Sequence, residues 1–125
     1  IYMRATLLKY DSLTINLFKD SQIYYHARAR CDDNCASSIT CDSLKCSKKF
    51  YAVNSYNNEH WGSEIRIDEY KMVVNQVFEW HFLINALSVD WYINRNHVSR
   101  FETTTTYRPV LLKVAGTAQV HELSL

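Results

Sequence analysis

A chain of 125 residues with a net charge of +1 is long enough to bury the core of one domain, and its balance gives no bulk electrostatic pull toward nucleic acid. Hydrophobic residues make up 47% and charged residues 22%, which excludes a disordered or low-complexity chain, and no run approaches the ~18 apolar residues of a membrane span. Nine tyrosines and three tryptophans favour β structure, while two glycines and one proline leave the turns to Asn, Asp and Ser.

In chain order, Ile1 to Leu8 alternates loosely and reads as a strand, followed by a turn at Tyr10-Asp11-Ser12. Leu13 to Phe18 alternates again and is closed by Lys19-Asp20-Ser21. Gln22 to Arg30 has a clear period of two, with Ile23, Tyr25, Ala27 and Ala29 on one face and Tyr24, His26, Arg28 and Arg30 on the other. The first face is apolar enough to pack on a core. The second carries three basic or titratable groups in a row.

A loop from Cys31 to Lys49 comes next, then a short strand Phe50 to Asn54, a polar turn Ser55 to His60 and a strand Ser63 to Ile67. Phe78–Asn85 and Ser88–Asn94 read as a hairpin, whose Trp80, Phe82, Trp91 and Tyr92 must divide between core and surface. After a turn at Asn94–His97, strands are expected at Val98–Thr103, Val110–Val114 and Ala118–Leu123. About ten short strands with no helical period give an all-β antiparallel sandwich or jelly roll, residues 1–125 forming one domain.

All four cysteines, Cys31, Cys35, Cys41 and Cys46, fall in the polar loop, at spacings of three, five and four residues. An even count in one loop points to two local disulfides and an oxidising compartment. Three pairings are open. A structural zinc site would need four thiolates and is less well matched, because the paired C-x-x-C knuckles are missing. Together with a start at Ile1, this leads us to expect a secreted or extracellular protein, or an ectodomain fragment of a longer one. The other histidines have no metal-ligand spacing, and Asp32, Asp33 and Asp42 do not form a calcium loop. No metal or cofactor is expected.

Chemistry concentrates in three clusters on consecutive strands: His26, Arg28 and Arg30; Asn54; and Trp61, Glu64 and Arg66. Consecutive antiparallel strands are usually neighbours, so the clusters can line up on one sheet face. Glu64 and Arg66 share strand parity, whereas Trp61 has the opposite parity unless it sits in the turn before the strand. An exposed indole beside a carboxylate and guanidiniums suits a saccharide. The ring packs on the apolar C–H side of the sugar and the charged groups bond its hydroxyls.

This ordered set resembles the galectin carbohydrate-recognition domain, whose pattern is H-x-N-x-R, then V-x-N, then W-x-x-E-x-R. His26 and Arg30 match the first element, Asn54 the second, and Trp61, Glu64 and Arg66 the third. Arg28 departs from the family Asn and Ala29 from its usual Pro. Leu13 to Leu17, Val89 to Asn94, Tyr107-Arg108-Pro109 and the ending from Leu112 to Leu123 resemble further family segments, so the likeness covers nearly the whole chain. It implies a two-sheet sandwich with a ligand groove on the concave face. Trp61 would stack on galactose, His26 and Arg30 would bond its 4-hydroxyl, and Asn54 and Glu64 its 6-hydroxyl, with Glu64 also orienting Arg30 and Arg66. Arg28 offers only donors and a full charge, which suits an anionic substituent such as sulfate or sialate.

The function expected is therefore a non-enzymatic lectin module for β-galactoside-type glycans or glycoproteins. The alternative is a protein-interaction module on the same sandwich, with the groove altered or blocked by Arg28 and the cysteine loop. A glycosidase would need two carboxylates, and Glu64 stands alone near the site. A homodimer is compatible with the pattern, through an edge strand such as the first.

Overall fold

Alternating apolar and polar residues fold the chain into eleven strands, without a helix among the described residues. They are β1 (Tyr2–Leu7), β2 (Ser12–Lys19), β3 (Gln22–Cys31), β4 (Lys49–Asn57), β5 (His60–Trp61), β6 (Ile65–Ile67), β7 (Val77–Ile84), β8 (Ser88–Ile93), β9 (Asn96–Glu102), β10 (Leu111–Gly116) and β11 (Ala118–Ser124). The structure is a computed structural model that describes residues 1–10, 12–31, 46, 48–103 and 111–125. Asp11, most of the cysteine loop, Tyr107-Arg108-Pro109 and Val110 lie outside the described residues.

Two antiparallel sheets form a β-sandwich. One has the order β11-β1-β7-β8-β9. The other has the order β10-β2-β3-β4-β5, with β6 sharing the outer side of β4. β1 lies between β11 and β7, which corrects the expectation that it is an edge strand. The last strand of the chain returns to cover it, with Tyr2 opposite Ser124 and Leu7 opposite Ala118.

The core is aromatic. Trp80, Phe82 and Trp91 project from β7 and β8 and are fully buried. Trp80 meets Trp91 edge-on at 4.9 Å, and Phe82 stacks on Trp91 at 5.6 Å. The facing sheet supplies Tyr25 against Phe82 at 5.7 Å and Tyr51 against Trp91 at 5.2 Å. Tyr92, with the opposite parity, points outward. Burying rings of this size is the main force holding the sheets together, each worth roughly 2–3 kcal/mol.

Two hairpins close on residues with positive φ: Asn58 and Glu59 at 51° and 64°, and Asn94 and Arg95 at 50° and 69°. Paired left-handed residues give the type I′ turn whose twist matches the flanking strands. The expected turn Ser55–His60 is therefore only two residues wide. β4 runs on to Asn57, and His60-Trp61 forms a strand of its own. At the other end of β3 and β4, Cys31 and Cys46 form a disulfide. Cys35 and Cys41 lie outside the described residues.

Candidate functional site

The register of the six-stranded sheet brings the three polar clusters together. β2 lays Asn16 opposite His26 and Thr14 opposite Arg28. β4 lays Asn54 opposite His26, Ala52 opposite Arg28 and Phe50 opposite Arg30. All of these face away from the core, because the alternate residues Ile15, Ala27 and Val53 are fully buried beneath them.

Strict alternation fails once in β3. The register with both neighbours shifts between Ile23 and His26, and Tyr24 and Tyr25 are both buried. Such a bulge puts an extra residue into one strand. Tyr24, expected on the outward face, instead turns in and donates its hydroxyl to Thr103 at 3.2 Å. Beyond the bulge, His26, Arg28 and Arg30 keep the expected outward parity.

A second irregularity resolves the position of Trp61. Trp61 pairs with Tyr56, whereas Arg66 pairs with Ala52. The outer chain thus advances five residues while β4 advances four. The extra residue falls in Gly62-Ser63-Glu64, which belongs to no strand. It reverses the parity of Trp61 and sets it on the outward face with Asn54 and Arg66. Asn54 holds this kink: its Nδ2 donates to the Gly62 carbonyl at 3.0 Å and its Oδ1 accepts from the Ser55 amide at 2.8 Å. The Gly62 amide in turn donates to the Ser55 carbonyl at 2.9 Å. A side-chain amide has two donor hydrogens and two acceptor lone pairs, so Asn54 keeps one of each for a ligand.

A cavity of about 440 Å³ opens here, lined by His26, Arg28, Arg30, Ala52, Asn54, Trp61, Gly62 and Glu64. Six of the seven residues singled out in the sequence line it. Trp61 is 51% exposed and is propped by His26 at 5.0 Å, edge-on, and by Tyr56 at 5.2 Å. One face of the indole is thereby left available for stacking.

Asn16 fixes the imidazole of His26, its Oδ1 lying 2.6 Å from Nδ1. An oxygen there can only accept, so Nδ1 carries the hydrogen and Nε2 is left as an acceptor. Burial, and secondarily the charge of Arg28, push the His26 pKa down to about 4, so the ring is neutral at physiological pH. Arg28 leans toward β2, where its Nε donates to the Ser12 hydroxyl at 3.0 Å.

Arg66, the seventh residue, stands apart from the cavity. Its guanidinium lies 3.8 Å from the centroid of Phe50, and its Nε donates to Asp68 at 2.7 Å. Asp68 is thus the carboxylate that takes this N–H. The pair is largely exposed, so it contributes ~0–1 kcal/mol. Arg30 also lies over Phe50, at 5.8 Å. Roofed by two guanidiniums, Phe50 is only 2% exposed although it sits on the outward face. Reading the sequence missed Asn16, Ser12, Phe50 and Asp68. Of these, Asn16 and Ser12 carried a usable signal, since they alternate with Leu13, Ile15 and Leu17 and so must share the polar face. No cluster of three or more His, Cys, Asp or Glu with metal-site geometry occurs among the described residues.

The family model for galactoside-binding lectins matches residues 1–125. The chain belongs to this lectin family. Its galectin fold is matched by solved structures of low sequence identity. Galectin LEC-6 of Caenorhabditis elegans superposes with a TM-score of 0.74 at 21% identity, over 96% of this chain and 76% of that one. Galectin-Ib of Xenopus laevis gives 0.75 at 18% identity, over 98% and 86%. CG-16, a homodimeric agglutinin from chicken liver, gives 0.73 at 18%, over 97% and 85%. No curated protein sequence gives a significant match. The chain is therefore a galectin-type carbohydrate-binding domain, of a family whose members are lectins and not enzymes.

Proposed function

We propose that the chain acts as a single, non-enzymatic carbohydrate-recognition domain that binds β-galactoside-type glycans in the cavity beside Trp61. The observation that carries the reading is the convergence, around one cavity, of a half-exposed indole, a neutral imidazole with a free Nε2 acceptor, an amide with spare capacity and a carboxylate. Trp61 stacks on the apolar face of the galactose ring. His26 accepts from a sugar hydroxyl while Arg30 donates to one, and Asn54 and Glu64 bond another. Arg66 contributes from outside the cavity, by packing on Phe50 together with Arg30. Hydrolysis has no support here, because among the described residues Glu64 is the one carboxylate lining the cavity and glycosidases use two.

Arg28 sets the preference. Its lean toward Ser12 puts a positive charge at the β2 side of the cavity, where a sulfate or sialate substituent on galactose would meet guanidinium and hydroxyl donors. The disulfide supports secretion to an oxidising, extracellular setting. Glycoproteins are then the natural partners. Pairing of two copies along an edge strand of the five-stranded sheet, β11 or β9 among the described residues, would make a homodimer.

A panel of immobilised glycans tests the reading. Wild-type protein is expected to bind galactose-terminated probes, and more strongly when they carry an acidic group. Arg28→Asn should abolish that acidic preference while retaining the neutral galactosides. Binding of protein ligands that survives Trp61→Ala, with no glycan bound, would instead favour the protein-interaction module.

A further inference from the structure

The outer face of the five-stranded sheet carries a second cavity, of about 550 Å³, lined by Tyr2, Glu79, His81, Leu83, Tyr92 and Arg95. Tyr2, His81 and Tyr92 belong to a row of rings in direct register that runs on past the cavity to His97. Tyr2 pairs with His81, His81 with Tyr92, and Tyr92 with His97. Successive centroids are 6.4, 6.2 and 5.2 Å apart. One aromatic rung therefore crosses four adjacent strands, perpendicular to their direction. Its His97 end is anchored by an acidic residue of β8. Buried Asp90 accepts from His97 Nε2 at 2.8 Å, from two nitrogens of Arg100 at 3.0–3.3 Å, and from Asn85 at 3.0 Å. At the rim, Arg95 Nε lies 3.9 Å from the Glu79 carboxylate.

Tyr2, Glu79, His81, Leu83 and Tyr92 are not part of the sandwich core, since each alternates with a buried neighbour such as Met3, Trp80, Phe82, Trp91 or Ile93, and Arg95 is exposed in the turn after β8. The chemistry of the lining selects among ligands. Among the described residues, rings with polar edges dominate it and Leu83 is its one aliphatic residue, a lining that matches the C–H faces and hydroxyls of a sugar. One carboxylate and one guanidinium leave it without a charge surplus, so it favours neither an anion nor a basic peptide. It shares part of the kit of the groove on the opposite sheet, a histidine in ring contact with a larger aromatic beside a Glu and an Arg, to which the groove adds a second arginine.

We propose that this face is a second saccharide-binding surface, taking a neutral oligosaccharide laid across the strands along the Tyr2–His81–Tyr92 rung. The domain would then hold two glycans on opposite faces and could bridge them without dimerising. The choice of probe rests on the galactoside reading of the groove, but the site itself does not.

The test is a titration of a neutral β-galacto-oligosaccharide into isotope-labelled protein, followed by amide NMR shifts, on a Trp61→Ala background that disables the groove. Saturable shifts in β1, β7 and β8 are expected. His81→Ala, at an exposed position, should weaken them about tenfold, with Tyr2→Ala as a second variant and circular dichroism verifying that each is folded. Two results would overturn the proposal. The first is the absence of such shifts at millimolar sugar. The second is shifts on this face that depend on protein concentration alone, which would assign it to a second copy of the chain. Shifts in β1, β7 and β8 with none in β3 to β5 of the wild-type protein would leave this site standing and remove the groove reading instead.

Discussion

Nδ1 of His26 lies 2.6 Å from Oδ1 of Asn16 across the β2–β3 pair, and this contact decides which side of the imidazole faces the cavity. With Nδ1 occupied, Nε2 is the acceptor, and it stays one as long as the ring is neutral. Burial and Arg28 hold the His26 pKa at about 4. Galactoside affinity is therefore expected to be flat from pH 8 to about 5 and to fall as the pH drops through about 4. Stability follows a different window. The unfolded chain takes up the proton near the ordinary histidine value of 6.5 while the folded chain resists it to about 4, so this group's contribution falls as pH falls between those values. Calorimetric titrations and urea melts across that range check both. Asn16→Ala should weaken binding about fivefold, the loss of roughly 1 kcal/mol of hydrogen bond.

Cys31 and Cys46 are 15 residues apart and join the end of β3 to the approach of β4, the two strands that carry His26 and Asn54. Closing a loop of that length restricts the unfolded chain by about 3 kcal/mol in the chain-entropy account. Cys31→Ser should lower stability by roughly 2–4 kcal/mol in denaturant melts, and a change under 0.5 kcal/mol, roughly the scatter of ordinary surface substitutions, would show that the bridge constrains little.

Gly116 has a φ of 130°, and a Cβ built there would run into the Ser12 carbonyl oxygen and the Leu13 Cα. Both partners are backbone, so nothing can swing aside. Gly116→Ala should cost about 1–3 kcal/mol and loosen β10 from β2 and from the Ser12 that receives Arg28. Hydrogen exchange of the β10 amides reports this, and unchanged protection would contradict the close approach.

Much of this was legible in the sequence, for physical reasons. A period of two is a direct image of sheet geometry, so ten of the eleven strands and the outward parity of His26, Arg28 and Arg30 could be read without coordinates. What could not be read were register shifts. The extra residue at Tyr24 breaks the alternation, and the one at Gly62-Ser63-Glu64 reverses the parity of Trp61. Both are set by pairing with neighbouring strands and leave no compositional trace. The Asp68 contact of Arg66 was not read for a related reason. Glu64 and Asp68 flank it at equal sequence distance, and only the end of β6 at Ile67 shows which carboxylate its Nε reaches. The rung from Tyr2 to His97 joins four strands remote in sequence and emerges only from the strand order.

The central claim is that the cavity beside Trp61 binds galactosides, and the most direct measurement is calorimetric titration of lactose into the wild-type domain and into Trp61→Ala. The account predicts saturable heat for the wild type and its loss in the variant, with circular dichroism unchanged. Absence of heat at millimolar lactose in the wild type, or equal heats in both proteins, would contradict it.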